Sequence, residues 1–172
     1  MEIKQKIFEH QKTIIQLLAQ YEKTVGKLYQ FYSEKFPAER AFWESLFEAE
    51  EHHAFLLEML ASKMASRHIF HNLREFDPER IRKEINHLEK KIETLEKNSP
   101  EEFGFENAIK DALETEASIL EAHFYDIAGS DMEEFQVVAN ILKKETRLHV
   151  KQIEEKMINF ISSKKKEGTD CE

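Results

Sequence analysis

An all-α fold is what this chain predicts, and three observations carry that prediction. Apolar residues recur at steps of three and four along most of the length, the period of helices that bury one face. Only 4 Gly and 3 Pro punctuate 172 residues, so turns are few and elements long. Charged residues at 34% and hydrophobic ones at 41% suit amphipathic helices with solvated outer faces. A chain of this size can bury one real core and has little room for a second, so residues 1–163 are read as one domain and 164–172 as a disordered tail.

The elements follow in order. Ile7, Ile14, Leu18, Tyr21, Val25, Leu28 and Tyr32 form one stripe and predict a helix over about residues 3–34, ending before Phe36-Pro37. A second helix is expected over about 38–66. The less regular stretch from Arg67 to Phe76 offers Ile69, Phe70, Leu73 and Phe76 as plugs against the core. Asp77-Pro78 supplies an N-cap and a first-turn proline for a helix over about 78–97. Its apolar positions, Ile81, Ile85, Leu88, Ile92 and Leu95, form a narrow heptad seam fit for one partner helix, which is either a helix of the bundle or its counterpart in a second subunit, the latter being favoured. Ser99-Pro100-Glu101-Glu102 matches a capping box that opens a helix to about Ala128. Gly129 ends it, and Ser130 with Glu133 opens the last helix, to about Ser162.

The net charge of −9 argues against general nucleic-acid binding, and the Lys164-Lys165-Lys166 run is too short to change that. A single cysteine, Cys171, excludes a disulfide framework, a Cys-x-x-Cys metal centre and a thiol nucleophile in a folded context. With no signal peptide and no apolar run long enough to cross a bilayer, a soluble cytoplasmic protein without membrane partners is expected.

The two halves are faintly duplicated. At an offset of 94, Ile15 meets Ile109, Leu18 meets Ala112, Glu22 meets Glu116 and Val25 meets Ile119. At 96, Leu46 meets Leu142, His53 meets His149 and Leu57 meets Ile153. Two helical hairpins joined by a long crossover helix make a four-helix bundle.

Chemistry concentrates in Glu50-Glu51-His52-His53 and in Glu145-Thr146-Arg147-Leu148-His149. Spacings of three and four place a carboxylate and an imidazole on one helix face, where both can hold the same metal ion. Each pair sits in an apolar stripe: Phe42, Leu46, Leu57, Leu60 and Met64 around the first, Val138, Ile141, Leu142 and Ile153 around the second. A carboxylate facing a core is costly unless paired, hydrogen-bonded or bound to a cation. His52 falls on the outer face, and His10, His68, His71 and His87 lack carboxylates on matching faces and read as structural or surface residues.

These residues resemble the ferritin-like superfamily and, within it, the rubrerythrin-type di-iron carboxylate proteins. That family places one Glu on the first helix of each hairpin and Glu-x-x-His on the second, all converging on two metal ions. The first hairpin matches in full, with Glu22 seven residues before Tyr29 and Glu50-x-x-His53 after it. In the second, His149 occupies the histidine position, but the residue three before it is Thr146, with Glu145 the nearest substitute. On the preceding helix the family spacing counted back from Tyr125 falls on Ser118, whereas helical periodicity favours Glu116, among Ile109, Leu113, Ile119, Leu120 and Phe124; Glu121 is a third candidate at the stripe's edge. His123 reads as a core residue or as support for a ligand. The ligand set implied by the resemblance is therefore Glu22, Glu50, His53, Glu116, Glu145 and His149, with Glu121 and His123 as subsidiary candidates and Tyr29 and Tyr125 as hydrogen-bond donors to ligand carboxylates.

Up to four carboxylates and two imidazoles suit two iron or manganese ions better than a tetrahedral zinc site, although zinc can substitute. The resemblance implies peroxide reduction or ferroxidase-type iron handling in a homodimer. Rubrerythrins proper carry a rubredoxin domain that needs four cysteines; this chain has one, so an external protein is expected to donate electrons. A metal carrier or sensor, and a degenerate bundle acting as a structural or interaction module, are the competing classes.

Overall fold

The computed structural model describes residues 2–64, 77–97, 103–117 and 133–167, and every regular element among them is helical. Helix α1 spans Glu2–Lys35, a 3-10 turn Pro37–Glu39, α2 Arg40–Lys63, α3 Pro78–Lys97, α4 Phe105–Glu116 and α5 Glu133–Glu167. The all-α prediction holds. No described helix is long and apolar enough to cross a membrane.

Helix α1 is the hub. It packs along α2 and α3, while α5 lies against α4 and α2. Proline at position 37 cannot continue α1 but starts the 3-10 turn, which reverses the chain into α2. The facing stripes of Ile14, Leu18, Val25 and Leu28 on α1 and Leu46, Leu57 and Leu60 on α2 are buried in one core. Gly26 faces α2 at the height of the chemistry, where a Cβ would stand in ordinary contact with Glu50 Cβ and Phe47 Cδ2, each at 3.4 Å.

The start of α3 follows its sequence signal, since the Glu79 N–H donates to Asp77 Oδ1 at 3.0 Å. Its seam is buried as expected, with Ile81, Ile85, Leu88 and Leu95 enclosed and Ile92 half-buried. The helix that packs against it is α1 of the same chain, the first of the two alternatives and not the favoured subunit contact. A heptad seam demands one partner helix but does not specify whose.

Three boundaries differ from expectation. Helix α2 starts only at Arg40, behind the 3-10 turn, and stops at Lys63, where Met64 turns extended. Helix α4 starts at Phe105, because Gly104 is extended (φ −80°, ψ 165°) and Phe103 is drawn onto Tyr32, ring centroids 5.9 Å apart. Helix α5 continues to Glu167, past Ser162. The plugs at Ile69, Phe70, Leu73 and Phe76, the capping boxes at Ser99 and Ser130 and the stop at Gly129 lie outside the described residues.

Candidate metal centre

Four helices each deliver acidic or imidazole side chains to one buried cluster. On α1, Glu22 stands between Leu18 and Val25 in the inward row; on α2, Leu46, Glu50, His53 and Leu57 form the corresponding row. Glu116 closes the row of Ile109 and Ala112 in α4, and His149 lies between Leu142 and Ile153 in α5. All five ionisable groups are at most 4% exposed.

Glu50 is the centre. Its Oε2 lies 3.2 Å from His53 Nδ1 and its Oε1 3.0 Å from His149 Nδ1. Glu22 flanks the first imidazole, with Oε2 4.0 Å from His53 Nδ1, and Glu116 the second, with Oε1 3.4 Å from His149 Nδ1. Two groups able to hold a metal ion result, Glu22–Glu50–His53 and Glu50–Glu116–His149, each with ligand atoms within 4.8 Å of one another and with Glu50 in common.

The electrostatics are those of crowded buried acids and bases. Burial pushes the Glu50 carboxyl up, but His149 and His53 outweigh it and hold the pKa well below the usual carboxylate range. Glu116 is raised, first by burial and then by the charge of Glu50, against the opposing pull of His149 and Tyr29. Burial lowers both imidazoles, yet the adjoining carboxylates win: His53 is raised mainly by Glu50, and His149 reaches about 10 through Glu116 and Glu50.

Several atoms at the centre fit a cation better than they fit each other. Glu50 Oε1, Glu116 Oε2 and His149 Nδ1 are buried without a hydrogen-bond partner among the described residues. Although Glu50 Oε1 and His149 Nδ1 are only 3.0 Å apart, they are not aligned for a hydrogen bond. Both belong, with Glu116, to a buried group of two carboxylates and one imidazole, a donor set that suits oxygen- and nitrogen-liganded divalent cations.

Supporting contacts set the orientation. Tyr29 Oη donates to Glu116 Oε1 at 2.7 Å, the role expected of it. Glu145 Oε2 lies 2.9 Å from His53 Nε2. An Nε2–H donating to Glu145 leaves the Nδ1 lone pair facing Glu22 and Glu50, the tautomer a metal ligand needs.

Glu22, Glu50, His53, Glu116 and His149 thus come together as expected, with Glu116 inside the cluster as helical periodicity favoured. Glu145 does not join either group: its side chain is 37% exposed and meets the far nitrogen of His53. The inward position is Thr146, 5% exposed, because Leu142, Thr146, His149 and Ile153 continue the stripe at steps of four, three and four. That spacing was readable in the sequence. Ser118, Glu121, His123 and Tyr125 lie outside the described residues. His10, His52 and His87 are exposed. The fully buried Trp43, stacked beside Tyr29, had no signal in the ligand spacing.

The chain matches no known family, no curated protein and no solved structure.

Proposed function

We propose that this chain is a ferritin-like four-helix bundle of the rubrerythrin type, and that its cluster holds two first-row metal ions. Iron is the proposed native metal, with manganese as the alternative and zinc as a substitute. The observation that carries the reading is the shared carboxylate: Glu50 turns one oxygen to each of two histidines, with a second carboxylate flanking each. Glu22, Glu50 and His53 would hold one ion, and Glu50, Glu116 and His149 the other. The equivalence of Glu22 with Glu116 and of His53 with His149 in the internal repeat supports a two-fold site.

Two ferrous ions bound there would supply two electrons for reducing peroxide or dioxygen. The protein's part is to orient and to exclude water. Tyr29 fixes Glu116, Glu145 fixes the ring of His53, and the surrounding Leu46, Leu57, Ile109 and Leu142 keep the carboxylates dry. Peroxide reduction or ferroxidase-type iron handling in the cytoplasm is the activity proposed, with an external electron-donor protein. If the protein forms a homodimer, it uses a face other than the α3 seam, which α1 covers.

A carrier or sensor with no turnover is the second reading, and Thr146 favours it. At an offset of 96 the counterpart of Glu50 is this threonine, so the second hairpin offers no bridging carboxylate of its own. Anaerobic reconstitution with ferrous iron separates the two. Two ions per chain and an oxo-bridged ferric absorption after peroxide support the redox reading; one ion, or two without that absorption, supports the carrier; no binding overturns both.

A further inference from the structure

The cluster has one more connection to the surface, and it runs through rings. Tyr29, which donates to Glu116, stacks on Trp43 with ring centroids 5.9 Å apart and planes inclined by 26°. Trp43 in turn meets Tyr32 at 4.9 Å. All three side chains are fully buried. Tyr32 Oη donates to Asp111 Oδ2, and Asp111 also receives Lys91 Nζ, whose side chain is 27% exposed. From the cluster to the surface, the path therefore consists of one tyrosine, one tryptophan and a second tyrosine.

We propose that Tyr29, Trp43 and Tyr32 form a one-electron relay between the Glu50-centred cluster and the surface at Asp111 and Lys91. The proposal rests on the redox reading of that cluster for its inner end, while the relay itself is a property of the three rings.

Proton management argues for it. A tyrosine gives up an electron readily only when its phenolic proton has somewhere to go, and both tyrosines have a carboxylate in hydrogen bond: Glu116 for Tyr29, Asp111 for Tyr32. Burial, and then the charge of Asp111, keep the Tyr32 phenol protonated, so its electron and proton must leave together. Trp43 is the opposite case. Its buried Nε1–H has no acceptor among the described residues, so an oxidised indole keeps its proton, stays strongly oxidising and passes the charge on. Its other ring neighbours, Phe42 and Phe105, are much harder to oxidise and offer no side branch.

The steps balance. With peroxide or dioxygen as oxidant at the cluster, Tyr29 loses one electron inward and its Oη proton to Glu116. Trp43 returns one electron to Tyr29, which takes its proton back. Tyr32 reduces the indole cation and passes its Oη proton to Asp111. A one-electron reductant at the surface then restores Tyr32, and Asp111 returns the proton. One electron has moved from reductant to cluster, with no net proton transfer.

Laser flash photo-ionisation of the full chain without metal tests the relay separately from the metal reading, because Trp43 is the single tryptophan. The expected result is decay of the indole radical cation with matching growth of a tyrosyl radical, lost in the Tyr29→Phe/Tyr32→Phe double variant, which retains Tyr21 and Tyr125. A tyrosyl signal that grows undiminished in the double variant, or that never grows in the wild type, overturns the relay. In iron-loaded protein, Trp43→Phe should slow reduction of the oxidised centre by reduced methyl viologen while leaving iron stoichiometry at the wild-type value. An unchanged rate there overturns the inward connection, and failure to load iron counts against the metal reading alone.

Discussion

The imidazoles of His53 and His149 lie nearly parallel, ring centroids 5.4 Å apart and planes inclined by 24°, and both turn Nδ1 to the carboxylate of Glu50. Residues 96 positions apart, on α2 and α5, thereby share one acid. Burial opposes a proton on either ring, and the adjoining carboxylates favour one: Glu50 at His53, Glu116 and Glu50 at His149.

Replacing both histidines by alanine is expected to abolish binding of the metal pair while the helical circular dichroism persists. Equilibrium dialysis with ferrous iron under argon measures it; a double variant that still binds two ions would place the ligands elsewhere.

Glu145→Gln should weaken metal affinity by about 10- to 100-fold without changing stoichiometry, since the carboxylate orients His53 through Nε2 and belongs to neither ligand group. Loss of one ion outright would make Glu145 a ligand.

The metal-free protein should lose stability as pH rises from about 6.5 to about 10. The His149 pKa is raised from 6.5 to about 10, burial opposing and the Glu116 and Glu50 carboxylates prevailing. A group whose folded pKa is raised contributes stability that is complete below its unfolded value and lost through its folded one. Urea midpoints across this window should therefore fall. Ferrous affinity should move the other way, because binding displaces the Nδ1 protons.

Leu88→Ala should cost about 2–5 kcal/mol of stability and leave the sedimentation coefficient unchanged, because Leu88 is covered by α1 of its own chain. A change of oligomer size in this variant would return the seam to a subunit contact.

Gly26→Ala should stabilise the chain by about 0.5–1 kcal/mol, since a Cβ fits there at 3.4 Å from Glu50 and Phe47 and glycine is the poorer helix former. A fall in the thermal midpoint would mean that α1 and α2 cannot give even that contact.

By itself the sequence determined the helices and their inward faces, because burial imposes a period of three and four that no other element shares. Asp77-Pro78 marked the start of α3 to the residue, since the Asp77 side chain accepts the free Glu79 N–H in its first turn. The internal repeat was enough to pair Glu22 with Glu116. Other matters are settled only when helices meet. Glu145 and Thr146 are neighbours roughly 100° apart around one helix, and chemistry favours the acid at a metal site. Packing turned Thr146 inward and sent Glu145 around to the far nitrogen of a histidine on α2. The α3 seam required a partner, and only the tertiary fold named α1. The contact of Trp43 with Tyr29 and Tyr32 likewise joins two helices across a core, where ring geometry depends on distances that no spacing along the chain encodes.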